Sequence, residues 1–249
     1  MSRLSSAHDQ AEKYEVQIPK PSSALVTGGI CTYIGGIFLL FAFASPYWLV
    51  SWQYTFSPFK RMGLWEFCFD KYRHPHFQYD KLFSGCHYIF SDYFMIIREW
   101  ILPGWLMTVQ AFFTLAFMAS FGVQAILALL VTRWPLKIVM RNEGLLILIS
   151  CGGNAAASFL IFLSVSIFGG QCYRRDWLPY PNFNYLSWAF AFAIISMFIH
   201  GLAALILYGE YQAAKIRRHE EDHLVMSTRH HHGAASGMSN PSSESHHYV

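Results

Sequence analysis

The chain has 249 residues, 54% of them hydrophobic and only 13% charged, with a formal net charge of +3. That charged share is about half of what an ordinary soluble domain carries, which argues against a soluble protein. The small positive excess is divided along the chain and defines no partner. The deficit is concentrated: Asp, Glu, Lys and Arg are absent from 21–59, 101–132, 144–173 and 177–209. A helix needs about 20 apolar residues to cross about 30 Å of hydrocarbon, so each stretch suffices for one crossing. The predicted spans are 24–47, 103–131, 145–168 and 185–208. A soluble core helix of this length would show charges on the face that meets water. The first stretch follows a polar segment, 1–23, and is too long for a signal-peptide core.

The first loop, 48–102, is long and does not read as disordered. Segment 48–56 is dense in aromatic and β-branched residues that suit a strand, as are 62–69 and 86–90. Pro58 and the Arg73-His74-Pro75-His76 run are natural breaks. Ser91-Asp92, followed by a run to Trp100, predicts an N-capped short helix leading into the second span. A small antiparallel sheet on a four-helix bundle is the simplest assembly. Cys68 and Cys86 both fall in this loop. A cystine between them would stabilise the fold by about 3 kcal/mol in the chain-entropy description, and a small sheet with one exposed face needs such a staple. Two free thiols, or a zinc site of Cys68, His74, His76 and Cys86, are the alternatives; the latter matches no familiar finger spacing. Gly63 permits close backbone approach or a bulge. Trp65 and Trp48 suit the membrane–water boundary, with ring buried and N–H hydrated.

The loop 132–144 is short and basic, and 169–184 forms a short second outside loop. Four spans place both termini on one side. Lys13, Lys20, Arg133, Lys137, Arg141, Lys215, Arg217 and Arg218 would lie inside, against Lys60, Arg61, Arg98, Arg174 and Arg175 outside close to the spans. A cystine in the first loop requires that loop to face an oxidising compartment. Within the spans stand Gln110, Gln124, Asn154 and His200, with no carboxylate, lysine or arginine, a poor inventory for proton or ion transport. Gly152/Ala156 and Gly153/Ala157 around Asn154 form small-xxx-small pairs for helix packing, and Gly28/Gly35 and Gly29/Gly36 allow close approach at heptad spacing on the first span. No HExxH, GxSxG or P-loop motif is present. The loop carboxylates Glu66, Asp70, Asp80, Asp92 and Glu99 read as a solvated surface. No catalytic residue, metal, cofactor or nucleic-acid partner is predicted, and no N-glycosylation sequon occurs.

Trp48, then Gly63-Leu64-Trp65-x-x-Cys68, then Cys86, all between spans one and two of four, resembles the claudin pattern. The wider group includes peripheral-myelin-type tetraspans and calcium-channel γ subunits. Arg98 matches the arginine expected shortly before the second span, and Asn184-Tyr185-Leu186-Ser187-Trp188 resembles the entry to the fourth. The resemblance implies a membrane α+β fold: a left-handed four-transmembrane-helix bundle with a small extracellular antiparallel β-sheet stapled by one disulfide. It would cover 24–209, between a tail of 1–23 and a tail of 210–249, both cytoplasmic. The spacing from Cys68 to Cys86 is wider than in vertebrate claudins, and the second loop adds Cys172. The chain looks most like an invertebrate septate-junction claudin. This implies a junction protein in the lateral plasma membrane, meeting homotypic or heterotypic claudin-like partners in cis and trans to restrict paracellular diffusion. Phe77, Tyr79, Trp177 and Tyr180 are the candidate contacts. An auxiliary subunit of a channel or receptor is the alternative. A paracellular pore is a weaker one, since the outside loops carry eight Lys/Arg against six Asp/Glu.

The chain ends His246-His247-Tyr248-Val249. A terminal valine carboxylate can add to a PDZ sheet edge, and many claudins end this way, which predicts a PDZ scaffold as partner through Tyr248 and Val249. His230-His231-His232 reads as a solvated polar run, and Lys215, Arg217 and Arg218 can anchor the fourth span or attract anionic lipid headgroups.

Overall fold

The computed structural model describes residues 20–75 and 81–236. Four long helices form the bundle: α1 (Ser23–Ala44), α2 (Gly104–Thr132), α3 (Leu136–Gln171) and α4 (Trp188–Ser236). Each contains a stretch long and apolar enough to cross a membrane, and a helix satisfies its own backbone there. They pack in the cyclic order α1–α2–α3–α4 and back to α1, the α1–α2 contact being the slightest. Five strands form one antiparallel sheet in the order β4-β3-β2-β1-β5: β1 (Leu49–Ser51), β2 (Phe59–Met62), β3 (Glu66–Tyr72), β4 (Phe83–Tyr88) and β5 (Asn184–Leu186). The chain is therefore a four-span membrane fold with a small sheet at one end.

Helix boundaries follow local chemistry. Ser22 caps α1, its Oγ accepting from the Leu25 N–H at 3.1 Å. Pro46 holds Ser45 in extended backbone and stops the helix. Pro103 precedes the first residue of α2, which ends on Arg133 in the left-handed region (φ 56°). α3 is kinked near its start, where Asn142 leaves helical geometry. The fourth helix runs on past the predicted span end at 208, and its first turns beyond it are packed because Tyr211 and Ala214 join a core with Leu25, Val139 and Ile147.

The first loop differs from its expected strands in instructive ways. Segment 48–56 is not one strand: β1 ends at Ser51 and a 3-10 turn occupies Gln53–Thr55. The capped helix after Ser91 is instead a 3-10 turn, Asp92–Phe94, and a separate one-turn helix, Arg98–Ile101. Ser91 caps nothing with its hydroxyl; its carbonyl accepts from Arg98 Nη2 at 2.9 Å. The expected fourth-span entry at Asn184-Tyr185-Leu186 is the edge strand β5, paired with β1, and the helix begins only at Trp188.

Inside the bundle the polar residues bond one another. Ser120 Oγ lies 2.8 Å from His200 Nε2, and Ser196 Oγ donates to the Gly35 carbonyl at 2.9 Å. His200 is thus a buried bridge between α2 and α4. Asn154 is fully buried, bonded within α3 and to Thr32 of α1. The two small-residue pairs of α3 separate. Gly153 and Ala157 face inward, and a Cβ on Gly153 would sit 2.3 Å from Val123. Gly152 and Ala156 are exposed, with nothing within 4 Å of a Cβ at Gly152, so they do not serve packing in the bundle. The reason is helical phase: adjacent positions lie about 100° apart, and only one register meets α2.

Candidate site: the seat of the sheet on the bundle

The residues of the Trp–Gly-Leu-Trp–Cys–Cys motif meet where the sheet sits on the bundle. Trp48 occupies the link between α1 and β1 and is fully buried. Its indole N–H donates to the Ala42 carbonyl at 2.7 Å, satisfying an acceptor that the last turn of α1 leaves open. The ring meets Phe113, Phe168 and Phe190 edge to face, with centroids 5.2, 5.0 and 5.7 Å away. These phenylalanines come from α2, α3 and α4 in turn, so one side chain touches all four helices. Its backbone joins the sheet on both sides: its N–H donates to the Met62 carbonyl and its carbonyl accepts from Ser187. The boundary-belt reading of Trp48 is therefore wrong. Its N–H is not hydrated but spent inside the protein, because the chain turns back over the bundle directly after Pro46.

Gly63-Leu64-Trp65 is the turn between β2 and β3, closed by Gly63 N–H donating to the Glu66 carbonyl at 2.9 Å. The turn points into the bundle. Leu64 is fully buried, and its carbonyl accepts from Gln110 Nε2 of α2 at 2.6 Å. Gln110, met in the sequence only as a polar residue within a span, is the helix-borne partner of the motif. Gly63 answers to sterics: a Cβ there would lie 2.2 Å from the Ser45 carbonyl oxygen and 2.7 Å from Pro46 Cα. Trp65 is partly buried against Phe43, centroids 5.2 Å apart. Arg98 ties down the chain before α2, its Nη2 donating to the carbonyls of Phe90 and Ser91.

Cys68 and Cys86 are directly paired on β3 and β4 and form a disulfide. That removes both the free-thiol and the zinc alternative for this pair, since neither sulfur offers a thiolate. His74 instead packs edge-on to Trp100, while His76 lies outside the described residues. The registers place Tyr185, Val50, Arg61, Cys68 and Cys86 in one row across the sheet. Arg61 sits over the Tyr47 ring at 4.5 Å and donates to the Cys86 sulfur at 3.7 Å. Beneath the sheet Phe67, Phe69, Phe83 and Phe94 form its core. Cys172 is free and buried, and burial pushes its thiol up to about 12.

Strand direction sorts the remaining loops. β1 leads away from the bundle and β2 returns to it, so 52–58 lies at the far end of the sheet, as do the end of β3, the start of β4 and the turn before β5. Tyr54 and Phe56 in the first are 88% and 91% exposed, and Tyr180 and Phe183 before β5 are also exposed. Trp177, expected as an exposed contact, is buried, stacking edge-on to Trp105 and donating to the Ile101 carbonyl. Phe77 and Tyr79 lie outside the described residues, as do Tyr248 and Val249. Tyr54 and Phe56 were hidden in a segment read as strand, where alternation would have buried half of its side chains.

A comparison with family models matches residues 33–209 to the one described as PMP-22/EMP/MP20/Claudin tight junction. No curated protein sequence matches the chain.

Proposed function

The chain belongs to the PMP-22/EMP/MP20/claudin family, and from that premise we propose that it is a junction protein, of septate- or tight-junction type, that restricts diffusion between cells. The observation that carries this reading is the far rim of the sheet, where Tyr54, Phe56, Tyr180 and Phe183 stand exposed on loops. Lipid does not explain them, since the sheet separates this rim from the spans. Aromatic side chains presented together to water are the composition of contact surfaces. The disulfide supports placing the sheet outside the cell, and four spans then return both termini to the cytoplasm. The rim of a protein in one membrane would face the rim of a similar protein in the next.

The test is barrier rescue. In an epithelium lacking the protein and any redundant relative, the wild-type chain should restore exclusion of dextran-sized tracers. The Tyr54→Ser/Phe56→Ser double variant should reach the surface equally and leave the layer leaky. Full restoration by the double variant would sink the rim as the contact surface. An auxiliary channel subunit would share this fold; it would co-purify with one channel and would leave tracer exclusion unchanged when lost.

We also infer that Val249, with Tyr248, engages a PDZ scaffold that holds the protein at its membrane domain; the terminal sequence supports this. Val249→Ala should abolish pull-down by a PDZ scaffold while internally tagged protein still reaches the surface. Undiminished capture would refute it.

A further inference from the structure

At the end of the bundle opposite the sheet, a cleft of ≈ 410 Å³ opens between the start of α1, the α2–α3 turn and α4. Lys20, Arg133, Arg217 and Arg218 line it, together with Glu143 and Glu210. Four cationic groups thus face two carboxylates. Both carboxylates are engaged: Glu143 lies 3.1 Å from Arg133 Nη1 and Glu210 lies 2.7 Å from Arg217 Nη2. Lys20 and Arg218 are exposed and have no acidic partner among the described residues.

Arg133 points most directly to a ligand. Its side chain is only 7% exposed. Nη2 reaches the Lys20 carbonyl at 3.5 Å, but Nε is buried and has no partner among the described residues. A buried guanidinium donor without an acceptor is costly, but Arg61 and Arg98 leave Nε in the same state, so it is the unbalanced positive charge of the cleft lining that asks for an anion. The basic loop 132–144 therefore does more than hold topology; one of its arginines is turned inward toward a cleft with a charge excess of two.

We propose that this cleft binds a phosphate monoester carried on the headgroup of an anionic membrane lipid. The charge fits: a phosphate monoester carries about −1.5 to −2 near neutral pH, which matches the excess, whereas a phosphodiester headgroup supplies less. The donor geometry fits, because guanidinium forks pair with phosphate oxygens. The location fits a lipid, because the cleft lies beside the first turn of α1 and near Val139, where candidate spans begin. The site is independent of the junctional role, and its binding is measured on the purified chain.

The experiment titrates the full-length protein in detergent with fluorescent phosphatidic acid, with fluorescent phosphatidylserine as comparison and inorganic phosphate as competitor. Phosphatidic acid should bind about tenfold more tightly than phosphatidylserine, the scale expected of a charge-assisted contact. Arg133→Gln should weaken it by about tenfold or more. Because that variant removes a buried ion pair, the exposed double variant Lys20→Gln/Arg218→Gln is the second arm; it should weaken binding without moving thermal unfolding. Glu143→Gln should strengthen binding, which a purely structural role for the cluster would not produce. Equal affinity for the two lipids, or no loss in the exposed double variant, would overturn the site. Displacement of the lipid by inorganic phosphate at equal concentration would overturn the lipid as its source.

Discussion

Trp48→Ala should lower the stability of the protein by about 3–5 kcal/mol, the range for deleting a fully buried large aromatic. Three terms act together. The ring leaves a cavity at the meeting point of Phe113, Phe168 and Phe190, and each edge-to-face pair is worth about 0.5–1.5 kcal/mol beyond its area. The Ala42 carbonyl loses the donor held at 2.7 Å, and an orphaned buried acceptor costs about 1–3 kcal/mol. Total stability of a domain is about 5–15 kcal/mol, so much of the variant should fail to leave the secretory pathway. Trp48→Phe separates the terms: it keeps much of the apolar contact and loses the hydrogen bond, so its loss should be distinctly smaller. Thermal unfolding in detergent and surface biotinylation measure both. A loss below about 1 kcal/mol for Trp48→Ala would return the residue to the exposed boundary belt.

Gly63→Ala should be about as damaging for the addition of one methyl group. Overpacking a core costs about 1–3 kcal/mol and occasionally more. Here the added atom would fall 2.2 Å from the Ser45 carbonyl oxygen and 2.7 Å from Pro46 Cα, both backbone. No rotamer can relieve such a contact; α1 and the β2–β3 turn must part. Separation would also lengthen the Gln110–Leu64 bond and draw Leu64 from the core. The expected outcome is intracellular retention and impaired closure of the Cys68–Cys86 cystine, read by gel mobility with and without reductant. Gly152→Ala is the matched control. A Cβ there meets nothing within 4 Å, and alanine favours helix over glycine by about 1 kcal/mol, so it should be silent or slightly stabilising. Normal oxidation and delivery of Gly63→Ala would show that the turn does not sit as closely on α1 as the geometry requires.

Hydropathy is a local property, so the chain by itself determined its four spans to within a few residues at most ends, and their alternation with polar loops. The Cys68–Cys86 pair and the close backbone approach at Gly63 were likewise legible, because a staple and a glycine leave short-range marks; the turn at Gly63-Leu64-Trp65 was not, since 62–69 reads as one strand and the structure divides it between the end of β2, the turn and β3. Family membership followed from their order along the chain. Contacts between segments distant in sequence leave no such mark. Trp48 is the clearest case: a tryptophan at the end of a span has the same local surroundings whether it lies in the boundary or in a core. Only the return of the chain over the bundle sends its N–H to Ala42 and its ring among three phenylalanines. The same reason hid Gln110 as the partner of Leu64, buried Trp177 and turned Arg133 inward toward Glu143. It also separated Gly153 from Gly152, since composition places small residues on a helix but not the neighbour that one face meets. The sequence by itself thus determined what crosses the membrane and what is stapled. The tertiary structure decided which of those residues hold the sheet to the bundle and which remain exposed to meet another molecule, because burial is set by neighbours in space rather than along the chain.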